Sequence, residues 1–259
     1  MQPNEANTPP LLEICVDSLG AAQAAARGGA DRIEVCGELS GGGVTPSLGL
    51  LEAVLESVRI PVHCMIRPRA GDFRYADDEL RAMERDIALA KAAGAAGVVF
   101  GVLTRDGAVD VGATSRLVQA ARPMRVTFHR AFDVALCAGG DPETTLEHVI
   151  QAGSDILLTS GGAPRVTEGS STVARLVAHS RGGIEMMTGS GVRPDNAAAI
   201  WEMTRADALH ASLRRPLSAQ EAGHLLPDAP PTYEVREADV RTLAATLQRC
   251  RLSHQQRLS

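Results

Sequence analysis

Aromatic residues make up only 3% of this 259-residue chain, with one Trp, two Tyr and four Phe. A platform that stacks successive bases of a single-stranded nucleic acid is excluded on that count. There is no run of basic residues, and the net charge of -5 offers no basic face to a phosphate backbone. No apolar stretch approaches the ~18 residues of a membrane span. The five cysteines, Cys15, Cys36, Cys64, Cys137 and Cys250, are odd in number, widely spaced and without a CxxC pair. They point to free thiols in a reducing cytoplasm rather than to a disulfide frame or a four-ligand zinc site. No G-x-G-x-x-G follows the first apolar run, so no nucleotide cofactor is predicted. The opening MQPNEANTPP has neither the basic nor the apolar part of a secretory signal, and residues 1–10 read as a disordered leader.

What is present is a regular alternation. Hydrophobic residues make up 44% of the chain, enough for a large core. Short apolar runs at Leu11–Val16, Arg32–Cys36, Val62–Arg67, Gly97–Val102, Met124–His129, Asp155–Thr159, Gly183–Met187 and Asp207–Ala211 are each followed by an Ala- and Leu-rich helical segment. Glycines at the helix-to-strand junctions, as in GGAD (Gly28–Asp31) and AGSD (Ala152–Asp155), suit the left-handed residue that ends a helix. Ser18, Thr45, Asp77 and Asp141 suit N-caps, and Arg193-Pro194 a first turn. Eight strand–helix units predict an α/β fold, a single (β/α)8 TIM barrel over 11–250 with a C-terminal extension. Arg214–Val235 is Pro-rich and irregular, and 251–259 reads as a frayed tail.

Barrels of this kind do their chemistry at the C-terminal ends of the strands. Side chains alternate along a strand, so Glu13, Cys15 and Asp17 share a face, as do Glu34 and Cys36. An ionised Glu under the helix layer would be costly, so that face is placed on the barrel axis. Glu13, Glu34, Arg67, His129 and His210 then converge, either as a structural ionic layer or as groups for acid–base work. FHRAFD (Phe128–Asp133) sets His129, Arg130 and Asp133 at one strand end. The glycine-rich turns TSGG and TGSG, carrying Ser160, Gly161, Gly189, Ser190 and Gly191, follow the sixth and seventh strands, where backbone N–H groups often hold an anion. Cys15 and Cys36, each two residues after a Glu on neighbouring strands, could share a soft Cu(I) ion or could be small core residues.

LEICVDS, GGADRIEVC, GGVTPS, PVHCMIRPRAGDF, VTFHRAFD, ILLTSGG and GSGVRPDN occur in this order between residues 11 and 213. Together they resemble the CutC family, known as copper homeostasis proteins. The resemblance implies a TIM barrel, a cytoplasmic location, self-association as a homo-oligomer and Cu(I) binding through cysteines, here Cys15 and Cys36. The family's pocket pattern falls on Glu13, Glu34, Arg67, His129, Arg130 and His210. Ser190 stands where the family commonly has a further glycine, and Ala211 where it usually has one. Two functions follow as expectations: copper handling, or an enzyme acting on a small anionic, phosphorylated metabolite. No lysine ends a strand, which argues against a Schiff-base aldolase.

Overall fold

The structure, a computed structural model, describes residues 10–218, 221 and 231–255. The expected leader, apart from Pro10, lies outside the described residues, as do most of 219–230 and the last four residues of the expected tail. Eight parallel strands close into a barrel: β1 (Leu11–Val16), β2 (Arg32–Val35), β3 (Val62–Met65), β4 (Gly97–Phe100), β5 (Arg125–Phe128), β6 (Ile156–Thr159), β7 (Glu185–Thr188) and β8 (Ala208–Ala211), with β8 pairing back to β1. The connecting helices are α1 (Leu19–Gly28), α2 (Leu48–Ser57), α3 (Asp77–Ala93), α4 (Val111–Ala121), α5 (Ala131–Cys137), α6 (Pro142–Gln151), α7 (Val166–Ser180) and α8 (Ala197–Thr204). After β8 the short strands β9 (Arg215–Pro216) and β10 (Tyr233–Glu234) pair antiparallel, and α9 (Glu237–Gln255) packs on α1.

The two faces of each strand have different work. Leu12, Ile14, Val16, Ile33 and Val35 sit in the core between barrel and helices, together with Ile87 and Leu117 of the helix layer. The opposite face points to the axis. Arg32 on β2 reaches Glu185 on β7, a contact open only to side chains that cross the interior. Room for large polar groups there comes from β4. A Cβ on Gly97 would lie 2.5 Å from the His63 ring, and one on Gly101 2.7 Å from His129 Nδ1. Glycines on β4 and just past its end thus admit two imidazoles from the neighbouring strands.

Several caps differ from expectation. Ser18 and Asp141 accept from the first turns of α1 and α6. Thr45 caps nothing; its hydroxyl accepts from the Arg67 backbone N–H at 2.9 Å, and Ser47 caps α2 instead. Asp77 is the first residue of α3 rather than its cap, and the Glu79 carboxylate accepts from the Ala76 N–H at 2.9 Å. Between β5 and α6, Ala131–Cys137 forms the additional short helix α5.

Candidate functional site

An ionic chain runs through the barrel. Arg125 donates to Glu185 at 2.8 Å, Arg32 joins Glu185 at 3.0 Å, and the Arg32 Nε donates to Glu13. The other Glu13 oxygen meets His210 Nδ1 at 2.7 Å. Burial alone would raise the Glu13 carboxyl, but Arg32 and then His210 hold it well below the usual carboxylate range. Burial opposes the charge on His210, yet Cys15, the Glu13 hydrogen bond and Glu34 carry it well above the ordinary imidazole value. His63, under the same chain, is pushed down to about 4 by burial. Arg32, Glu185 and Arg125 escaped the sequence reading because they sit at strand starts, away from the ends where function was sought.

Glu34 is different. One of its oxygens accepts from the Cys36 thiol at 3.2 Å; the other, Oε2, is buried and meets no partner among the described residues. Burial raises this carboxyl. The Cys36 thiol is pushed well above its ordinary value by burial and then by Glu34, so it is held as S–H. The Cα partner of Cys15 is Glu34, so the two cysteines are offset by two residues rather than level. Ligand atoms of Glu13, Glu34 and His210 lie within 4.8 Å of one another. Those are oxygen and nitrogen donors, and both Glu13 oxygens already face Arg32 and His210. Neither this group nor a protonated Cys36 suits a soft Cu(I) ion as the side chains stand.

His129 is buried at the end of β5, with Phe73 edge-on at 4.6 Å. Its Nδ1 accepts from the Ala131 N–H at 3.3 Å, which assigns the ring proton to Nε2. Nε2 meets no partner among the described residues. Burial, and then Arg67, push this imidazole down to about 3, so it is neutral. Arg67 itself does not face the cavity. It donates to the carbonyls of Gly43 at 2.8 Å and Gly71 at 2.7 Å, clamping the β2 and β3 loops together. Arg130 does face the cavity. Its Nε bonds Asp133 at 2.8 Å and its Nη2 the Ser160 hydroxyl at 2.9 Å.

The two glycine-rich turns have different fates. After β6, the Asp133 carboxylate accepts from Ser160 N at 3.1 Å, from Gly162 N at 2.9 Å and from the Thr159 hydroxyl. An anion belonging to the protein fills that turn; the Gly161 N–H turns to Thr159 Oγ1 instead. After β7, Gly189 N bonds Thr159 O, whereas the amides of Ser190, Gly191 and Val192 meet no acceptor among the described residues. Ser190 holds φ 75 and Gly191 φ 82, and a left-handed serine is a strained residue of the kind found at binding turns.

These groups surround a cavity of about 700 Å³ at the C-terminal mouth, with Cys15, Glu34, His129 and His210 on its wall and Ser190–Pro194 on one side. Arg130, Arg193, Arg214 and Arg215 give the rim a positive character against Asp239. Arg214 stacks on Tyr233 at 4.0 Å and reaches Asp17 at 3.4 Å, which pins the C-terminal extension to the mouth. Sequence reasoning missed Arg193 and Arg214, although Arg193 stands inside the quoted GSGVRPDN.

The sequence model of the CutC family matches residues 10–215. A copper homeostasis protein cutC homolog of Homo sapiens is 47% identical over 204 residues, 79% of this chain and 73% of that protein. A family protein CutC of Agrobacterium fabrum is 48% identical over 204 residues, 79% of each. Among solved structures, a copper homeostasis protein CutC from Streptococcus agalactiae superposes with a TM-score of 0.72 at 30% identity, covering 78% of this chain and 98% of that one.

Proposed function

The chain belongs to the CutC family, and from that premise and the geometry of the mouth we propose an enzyme that acts on a small anionic metabolite by acid–base chemistry. One observation carries the reading: the buried polar atoms His129 Nε2 and Glu34 Oε2 meet no partner among the described residues and belong to residues lining one cavity with a guanidinium rim. A buried polar group left unsatisfied costs roughly 1–3 kcal/mol, a cost that a ligand removes. The anionic head sits at the Ser190–Val192 turn, beside Arg193. His129 donates a hydrogen bond to a substrate oxygen. Glu13 is committed to Arg32 and His210, which leaves Glu34 as the base and His210, oriented by Glu13, as the second acid. Proton transfer next to a carbonyl suits this set. We place the protein in the cytoplasm and as a homo-oligomer, in line with the family resemblance; among the described residues no helix is long and apolar enough to cross a membrane.

A thermal-shift screen of sugar phosphates and related acids tests the proposal. A ligand that raises Tm in the native protein and loses that effect in both Arg193→Ala and Glu34→Gln supports it; a broad library without a hit counts against it.

A second reading, Cu(I) binding through Cys15 and Cys36, draws on the name of the human relative and on Cys15 lining the cavity. It requires Cys36 to lose a proton that burial retains. Anaerobic Cu(I) titration against a competing chelator decides it: unchanged affinity in a Cys15→Ser, Cys36→Ser double variant removes this reading.

A further inference from the structure

The molecule contains its own comparison for what the mouth binds. The turn after β6 is occupied by the Asp133 carboxylate, held by two backbone amides and a hydroxyl. The corresponding turn after β7 presents three amides in succession, Ser190, Gly191 and Val192, with no acceptor among the described residues. Consecutive N–H groups around left-handed residues form an anion-binding concavity. Three amides beside Arg193 suit a phosphoryl group, which brings a third oxygen and more negative charge than a carboxylate does.

The rest of the cavity asks for uncharged oxygen. The His129 ring, with Nδ1 engaged by Ala131, offers a neutral N–H donor from a side chain only 5% exposed. Glu34 Oε2, on a residue 3% exposed, asks for a hydroxyl and disfavours a second anion. A volume of about 700 Å³ takes such a molecule whole. We infer that the mouth takes a phosphomonoester of a short hydroxy-carbonyl compound, its phosphoryl group on the Ser190–Val192 turn and its uncharged oxygens at His129 and Glu34. This inference rests on the enzyme reading above and narrows its substrate class.

Isothermal titration of the full chain with four probes tests it: dihydroxyacetone phosphate, glycerol 3-phosphate, inorganic phosphate and malate. The expected order is dihydroxyacetone phosphate tightest, glycerol 3-phosphate about 10-fold weaker for want of a carbonyl, phosphate weaker again, and malate without binding. Gly191→Ala, strained at φ 82, weakens all three phosphate compounds alike. His129→Leu, which deletes the N–H donor, removes the gap between the first two and leaves inorganic phosphate unchanged. Should that variant fold poorly, the His129 Nε2–H proton resonance of the native protein gives the same answer: it moves with dihydroxyacetone phosphate and not with inorganic phosphate. Malate binding as tightly as the phosphomonoesters, or dihydroxyacetone phosphate binding no tighter than inorganic phosphate, overturns the inference while leaving an anion site. Failure of all four probes takes down the anion site itself.

Discussion

Acid should destabilise this protein in a way that His129 reports. Its imidazole is pushed from the ordinary 6.5 down to about 3, chiefly by burial. Below pH 6.5 the unfolded chain takes up a proton at this residue that the folded protein refuses until about 3. Stability therefore falls as the pH drops through that window. At 1.36 kcal/mol per pKa unit the full effect is roughly 5 kcal/mol, of which about 2 kcal/mol is lost by pH 5. His63, at about 4, adds a loss of the same sign. His210 has the opposite sign: its raised pKa gives stability that is present below 6.5 and lost as the pH rises through the folded value. The variant His129→Gln isolates one term from this background. Urea melts of both proteins at pH 7.5 and pH 5 give two stability gaps, and the gap at pH 5 is expected to be about 2 kcal/mol smaller. For a chain of this length that corresponds to about 4–8 °C in Tm. Gaps equal to within ~0.5 kcal/mol at the two pH values would show that the ring titrates normally, and the neutral donor at the mouth would be refuted.

Other perturbations read other parts of the account. Arg32→Leu removes the cation that Glu13 and Glu185 share, leaving them only His210 and Arg125; a loss of roughly 3–5 kcal/mol is expected by chemical denaturation, and a loss below ~1 kcal/mol would show that the ionic chain does not depend on it. Asp133→Ala empties the β6 turn and should cost about 1–3 kcal/mol in the same assay, whereas an unchanged midpoint would mean that its amides find water as readily. At pH 8 a thiol reagent should label Cys137 first, because it is the exposed cysteine and the thiol of Cys36 is pushed well above its ordinary value. Peptide mass spectrometry giving Cys36 a comparable rate would contradict that burial.

The barrel was legible because its signals are local. Apolar runs and junction glycines located eight strands to within two residues at every end, and parity together with the cost of an ionised Glu under the helices turned Glu13 and Glu34 inward. The short helix α5 was not legible, since it begins two residues after His129 with no stop signal between strand and helix. Arg67 was grouped with the converging mouth residues because it follows a strand; only the folded loops reveal the carbonyls of Gly43 and Gly71 that occupy it. The glycines of both turns suggested an anion, but not that Asp133 would fill one of them, a contact spanning 27 residues. Arg32 and Glu185 meet across 153 residues, beyond any local pattern. Long-range pairing of charges is what a single sequence conceals.

The most direct measurement is a titration of the isotope-labelled protein with inorganic phosphate, followed amide by amide. The account predicts saturable shifts at Ser190, Gly191 and Val192, with Ser160 and Gly162 unmoved because Asp133 already holds them. Shifts at the β6 turn with the β7 turn silent, or no saturable shift at either, would contradict it.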